Sequence, residues 1–256
     1  SFLMKTQHIS AILFSFCLPL SLAACQTTPT EPQRNIVETF GYRTPPSMAS
    51  RIADVNIPEA VTELSSQIVI CTVDSMDEMQ FTDIGLWNFT YSVTVEEILM
   101  DTHELLTIGD QIHMTSGEGI VKAADAAEIV RDTERARKFG ILQDTYGEDD
   151  YIVSSTWDAI PIEVGKTYLV YLTDEYLANE GVFAEDGYSY LYEIDGGEIR
   201  YGMDALTDSR TAEELVASVE EQIANRTGRA DEVGASQYMQ ELGEAQAAEA
   251  LREQTE

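Results

Sequence analysis

Residues 86–99, LWNFTYSVTVEEIL, constrain the fold of this chain more than any other stretch of its sequence. Large apolar side chains occupy every second position, at Trp87, Phe89, Tyr91, Val93 and Val95. The positions between them are polar, at Asn88, Thr90, Ser92, Thr94 and Glu96. Because successive side chains of a strand point to opposite faces, this alternation predicts a strand with one buried and one solvated face. Strands of this kind are typical of antiparallel sheets.

Other segments share the composition of strands, with branched and aromatic residues between turn residues. The predicted strands are 67–73 (QIVICTV), 111–116 (QIHMTS), 151–157 (YIVSSTW), 166–173 (KTYLVYLT), 188–194 (YSYLYEI) and 198–202 (EIRYG). The last two flank Asp195-Gly196-Gly197, whose glycines suit the positive φ angles of a hairpin turn.

Two segments favour helices. Residues 123–139 are rich in helix formers, which predicts a helix inserted between strands. Thr211 and Glu214 have the spacing of a capping box and open a second helix whose apolar residues share one face. The sequence therefore predicts a mainly β protein: a small antiparallel barrel with an inserted helix and a C-terminal packing helix.

The N-terminal segment predicts where in the cell the protein is located. An apolar run at residues 9–24 follows Lys5, is interrupted by Pro19, and ends in small residues, as a signal peptide does. The stretch that closes this run, Leu22, Ala23, Ala24 and Cys25, resembles the lipobox of bacterial lipoproteins. The resemblance implies that Cys25 is lipidated and becomes the first residue of a chain anchored to a membrane of the cell envelope, outside the cytoplasm.

These observations predict five regions along the chain. They are a signal peptide at 1–24, a lipidated N-terminus and tether at 25–62, a barrel at 63–205 with an insertion around 117–150, a C-terminal helix at 206–226, and a low-complexity acidic tail at 227–256. The tail is interpreted as disordered or as a loosely formed helix.

The chain is strongly acidic, with 46 Asp and Glu against 15 Lys and Arg and a formal net charge of −31. Such a surface repels phosphates, so nucleic acid is not an expected partner. After removal of the signal peptide and lipidation of Cys25, Cys71 is the remaining thiol, and its apolar surroundings predict a small buried side chain.

Four segments resemble a group of secreted bacterial modules with an OB-like barrel related to netrin and tissue-inhibitor domains. They are 68–73, 91–99, 109–112 and 164–172. The resemblance implies an OB-like fold over about 67–205 and no assigned catalytic residue. Tissue inhibitors place a free N-terminal cysteine amine on a protease zinc, and acylation of Cys25 would prevent that mechanism.

Motifs for catalysis or metal binding are weak. Gly165-Lys166-Thr167 is not a P-loop, because the glycine required five positions earlier is replaced by Ile160 and Pro161 follows it. His103 and His113 are interpreted as unrelated surface histidines, and neither a metal site nor a cofactor is expected. The acidic stretches DSMDEM and GEDD lack EF-hand spacing and indicate at most weak calcium binding.

Aromatic residues give the candidate binding face. Tyr188, Tyr190 and Tyr192 alternate along one predicted strand, and Trp157 precedes them. Exposed rings there could stack on a sugar or a partner chain, whereas the alternative places them in the core or in cross-strand pairs.

The expected function is that of a lipid-anchored, non-catalytic envelope protein whose acidic OB-like barrel binds a protein or glycan. The alternatives are an envelope hydrolase or its inhibitor, and a structural spacer.

Overall fold

The computed structural model describes residues 34–42, 57–82, 85–131, 145–156, 160–173, 182–185, 191–195, 199–201 and 206–253. All of them belong to one compact unit, Arg34–Glu256. Some residues named above lie outside the described residues. They are the predicted lipobox residues Leu22, Ala23, Ala24 and Cys25, and the aromatic residues Trp157, Tyr188 and Tyr190.

The strands are β1 (Asn35–Tyr42), β2 (Gln67–Phe81), β3 (Trp87–Asp101), β4 (Gln111–Ser116), β5 (Gly119–Lys122), β6 (Asp150–Thr156), β7 (Thr167–Thr173), β8 (Val182–Glu185), β9 (Leu191–Glu193), β10 (Ile199–Tyr201) and β11 (Leu206–Asp208). The helices are α1 (Pro58–Leu64), α2 (Ala123–Arg131), α3 (Ala212–Ala224), α4 (Arg229–Val233) and α5 (Ala235–Glu253).

These strands form two sheets. The larger has the order β11-β10-β9-β7-β2-β3-β4-β8 and is open at β11, and β8 also pairs with β7. Its pairings are antiparallel except the parallel contact between β4 and β8. The smaller sheet has the order β1-β6-β5, with β1 parallel and β5 antiparallel to β6.

The main core lies on the inner face of β3 and confirms the alternation in its sequence. The apolar side chains from Trp87 to Val95 are buried there together with the inner residues of β2 and β7. Helix α2 adds Ala123, Ala126 and Val130 to the same cluster. A helix was therefore correctly predicted at the start of 123–139, and the structure describes it as far as Arg131.

A second core covers the opposite face of β2 and β7. Ile68, Ile70, Leu169 and Tyr171 pack there against α1 and α3, which contribute Val61, Leu215 and Val219. The first half of β2, residues 67–73, and most of β7 are thus buried on both faces, which explains their nearly continuous apolar sequences. The prediction of a C-terminal packing helix is confirmed by α3.

Hydrogen bonds fasten α1 to the turn that follows α3. The Glu63 carboxylate accepts from both the backbone N–H and the hydroxyl of Thr227. The Arg226 guanidinium donates to the carbonyl oxygens of Thr62 and Glu63, at 3.1 and 3.2 Å. These contacts join segments that are far apart along the chain.

Two predictions about secondary structure need correction. Residues 35–42 and 58–64, assigned to the tether, form β1 and α1. The strand β5 lies inside the segment around 117–150 that was predicted as an insertion, outside the predicted strands. The tail contains α5, so its helical alternative is the one that the structure supports. With these helices beside the two sheets, the mainly β prediction is confirmed only in part.

Candidate functional site

The loop between β3 and β4, residues 102–110, has a conformation fixed by carboxylates at both ends. Asp101 Oδ2 accepts from the backbone N–H groups of Leu105 and Leu106, at 2.6 and 2.7 Å. Asp110 Oδ2 accepts from the N–H of Thr107 at 2.8 Å. Hydrogen bonds to an ionised acceptor are stronger than neutral ones. The loop therefore holds one backbone arrangement before anything binds to it.

This loop displays two aliphatic side chains to solvent. Leu105 is 44% exposed and Ile108 is 65% exposed, whereas Leu106 packs against the main core. Across the described residues, the large hydrophobic side chains that are exposed are all aliphatic: Ile36, Leu105, Ile108, Val164 and Leu251. Single exposed apolar residues are common on protein surfaces, but two on one fixed loop form a small contact surface.

A second surface lies on the solvent side of β2, β3 and β4. It consists of two rows of hydrogen-bonded polar side chains, and we name it the outer polar face. Its members are Asp74, Ser75, Asp77, Ser92, Thr94, Gln111 and His113. In the first row, Asp74 Oδ2 accepts from Thr94 Oγ1 at 2.7 Å and from Gln111 Nε2 at 3.1 Å.

The second row brings together a serine, a histidine and an aspartate. Asp77 accepts from Ser75 Oγ at 2.6 Å through Oδ1 and from Ser92 Oγ at 2.5 Å through Oδ2. His113 Nδ1 lies 3.3 Å from Asp77 Oδ2 and 3.4 Å from Ser92 Oγ. The sequence alone did not indicate that these residues meet.

This grouping differs from a hydrolytic triad. In a triad the serine donates to one imidazole nitrogen while the carboxylate holds the other. Here the same nitrogen of His113 faces both partners, and Ser92 donates its proton to Asp77. Ser92 is therefore not activated by the imidazole in this arrangement.

The carboxyl group of Asp77 is held in its ionised form. Hydrogen bonds from Ser75 and Ser92 lower the pKa of Asp77 most, burial raises it by less than either, and the neighbouring His113 adds a smaller lowering. The outer polar face therefore keeps a fixed negative charge at neutral pH.

The predicted aromatic face is not supported at Tyr192. This side chain is buried in the second core, and the Arg210 guanidinium lies over its ring, 5.9 Å from the centroid. The alternative that placed it in the core is the one that fits. The other members of that face, Trp157, Tyr188 and Tyr190, lie outside the described residues.

The Gly165-Lys166-Thr167 stretch leads from a turn into a strand. Gly165 has a φ of 88°, and Thr167 begins β7. Lys166 Nζ lies 3.2 Å from Glu163 and 3.1 Å from Glu193. Although burial alone would lower the pKa of Lys166, the hydrogen bond to Glu193 and the charges of both glutamates raise it. The ammonium group of Lys166 therefore forms ion pairs with two carboxylates of the same chain.

His103 and His113 lie on different surfaces, His103 in the β3–β4 loop and His113 on the outer polar face. Within the described ranges, no group of three or more His, Cys, Asp or Glu side chains is placed to hold a metal ion. Cys71 is buried and not in a disulfide.

No protein-family model matches the chain, and no curated protein matches it either. In the part of the chain that the structure describes, no helix is both long enough and apolar enough to cross a membrane. Function must therefore be inferred from the chemistry of the two surfaces and of the N-terminal sequence.

Proposed function

We propose that this chain is a lipid-anchored, non-catalytic protein of the cell envelope whose OB-like barrel binds a protein partner. The observation that carries the choice of partner is the β3–β4 loop. Its backbone is fixed by Asp101 and Asp110, and it presents Leu105 and Ile108 to solvent.

The anchor is inferred from the lipobox-like sequence that ends at Cys25. Residues 26–33 separate this cysteine from Arg34, which forms an ion pair with Glu163 and lies over the Tyr151 ring. A linker of that length spans at most about 30 Å. Lipidation at Cys25 would thus keep the folded unit close to the membrane surface.

The OB-like barrel is supported by the cyclic order of five strand pairings. β2 pairs with β3, β3 with β4, β4 with β8, β8 with β7, and β7 with β2. OB-like folds are built on a small barrel of five strands and bind through one sheet face and its loops.

The exposed side chains favour a protein over a glycan. Sugar recognition by stacking needs exposed rings, and the described exposed hydrophobic residues are aliphatic, whereas Tyr192 is buried. Aliphatic side chains on a preformed loop suit burial against another protein, because little conformational entropy is lost on binding.

Charge points to a partner with a basic surface. The net charge is −31, and Asp74 and Asp77 of the outer polar face are oriented by hydrogen bonds. Complementary charge accelerates association, and the effect declines as salt screens it. Binding should therefore weaken as ionic strength rises, while the loop contact sets the specificity.

The Ser92–His113–Asp77 grouping is the observation that favours the alternative, an envelope hydrolase. Ester hydrolysis by the full chain should not depend on Ser92, because its proton is donated to Asp77. Hydrolysis that disappears in Ser92→Ala while the fold is retained would replace the non-catalytic proposal with the hydrolase.

The proposal is tested by cross-linking in intact cells that carry the tagged full chain. We expect a reproducible partner in the envelope fraction, and at least a fivefold reduction in its yield with Leu105→Ser/Ile108→Ser, because the loop loses its apolar contact surface (about a kcal/mol of binding). Val164→Ser is the matched control, since Val164 is also aliphatic and 54% exposed but lies in another turn.

Fractionation of the same cells tests the anchor. Cys25→Ser should move the chain from the membrane fraction to the aqueous fraction. A chain that stays with the membrane after this change would contradict lipid anchoring at Cys25. Equal partner yields with the loop variant and the Val164 control would contradict the binding role of the loop.

A further inference from the structure

We propose that Asp77 and His113 form a two-ligand site for Zn²⁺ on the outer polar face, with water or a side chain from a partner completing the coordination. This inference stands apart from the proposed binding role of the β3–β4 loop. It rests on the geometry, orientation and accessibility of the two side chains.

The spacing of the two ligand atoms fits a tetrahedral ion. Zinc binds imidazole nitrogen at about 2.0–2.1 Å and carboxylate oxygen at about 2.0–2.2 Å, which places neighbouring tetrahedral ligands about 3.3–3.5 Å apart. Asp77 Oδ2 and His113 Nδ1 are separated by 3.3 Å. An ion can therefore reach both atoms with little movement of either strand.

Hydrogen bonds from neighbouring strand residues orient the carboxylate. Ser75 and Ser92 each donate to one oxygen of Asp77. A carboxylate oxygen has two lone pairs, so Oδ2 can accept from Ser92 and still bind an ion. Partners of this kind fix a metal ligand and commonly increase affinity.

Both ligands are reached from solvent, because the His113 side chain is 50% exposed and that of Asp77 is 34% exposed. The open side leaves room for the further ligands that a four-coordinate ion needs. One imidazole with one carboxylate suits zinc better than calcium, which takes six to eight oxygen ligands. With two protein ligands, binding is weaker than in a closed structural site.

The test is a titration of the full chain with ZnCl₂, followed through the imidazole NMR signals of His103 and His113. We expect a saturable shift at His113 and at least a tenfold loss of affinity in Asp77→Asn and in His113→Gln. His103→Gln and Asp74→Asn are matched controls and should bind as the unmodified chain does. Asp74 is a neighbouring carboxylate with two donors of its own, which makes it a stringent control.

Three results would overturn the site: no saturable shift at His113 up to about 1 mM Zn²⁺, a shift that survives Asp77→Asn, or equal loss of binding in the Asp74→Asn control. Circular dichroism of each variant separates these results from misfolding.

Discussion

Gly119 lies where the chain enters the main core, at a position that has no room for a side chain. A Cβ atom there would be 2.6 Å from the Tyr91 hydroxyl oxygen and 2.8 Å from a ring carbon of Phe89. The Tyr91 hydroxyl donates to the carbonyl of Glu118 at 2.7 Å, which holds the turn between β4 and β5 against β3. A single glycine thus allows two strands to meet over the core.

Gly119→Ala should lower the free energy of unfolding by about 1–3 kcal/mol, because the added methyl group overpacks the core around Tyr91. Urea denaturation of both proteins measures the change. Gly147→Ala is the control, since its nearest neighbour is an exposed carboxylate oxygen of Asp150 at 3.3 Å and not a core ring. If the two variants differ by less than about 0.5 kcal/mol, the close packing at Gly119 is wrong.

At the scale of elements, α3 shows how a short sequence signal sets the start of a helix. Thr211 Oγ1 accepts from the backbone N–H of Glu214 at 3.2 Å, and the Glu214 carboxylate accepts from the N–H of Thr211 at 2.8 Å. The pair satisfies two backbone donors that a helix N-terminus otherwise leaves without intrahelical partners. The cap therefore fixes where Leu215 and Val219 enter the second core.

Thr211→Ala should reduce stability by about 1 kcal/mol through loss of this cap. The midpoint of urea unfolding would shift down while the slope stays the same. Thr107→Ala, an exposed threonine in the β3–β4 loop, should change stability by less than about 0.5 kcal/mol. An equal effect of the two substitutions would mean that the capping box contributes nothing.

The elements predicted from sequence are those with a local signal. Residues 111–116 and the α3 region show their structure through alternation or helical periodicity. β1 shows no such signal. Its partner β6 lies more than a hundred residues away in sequence and pairs with it in parallel, so no neighbouring segment of the sequence marks it as a strand. Tertiary pairing, which a single sequence does not display, decided that β1 is a strand.

The candidate site escaped prediction for a related reason. β2 continues from Val73 to Phe81, but register shifts occur between Val73 and Ser75 and between Met76 and Glu78. Such bulges add residues to one strand and break the period-two alternation. DSMDEM was therefore interpreted only as a stretch with at most weak calcium binding, although Asp77 lies on a strand beside His113. The sequence alone also did not indicate that Leu105 and Ile108 of the β3–β4 loop are exposed to solvent.

At the scale of the whole molecule, the contact between β4 and β8 decides whether the five strands form a ring. Thr115 and Ala184 are register partners across this parallel pair. Neighbouring strands lie about 4.8 Å apart, within the Cα separation that a disulfide spans. A position two residues away along β8 is more than about 7 Å distant, which a disulfide does not span without backbone movement.

Thr115→Cys/Ala184→Cys in a Cys25→Ser background should form a disulfide on mild oxidation, because the proposed ring places the two positions side by side. Non-reducing electrophoresis and thiol counting measure the yield. Thr115→Cys/Val182→Cys, shifted by two residues, should give about a tenth of that yield or less. Equal yields from the two pairs would mean that β8 does not hold this register and that the ring is not closed there.

The fastening of α1 to the turn after α3 has a consequence for biosynthesis. Glu63 and Thr227 are 164 residues apart in sequence, and Asn35 and Asp150, at the start of the β1–β6 pair, are 115 residues apart. Contacts of such long range form late, because a long loop must close before they contribute. The N-terminal part of the chain leaves the ribosome well before its partners exist. The contacts of the N-terminal part of the folded unit can therefore form only after Asp150 and Thr227 have been synthesised.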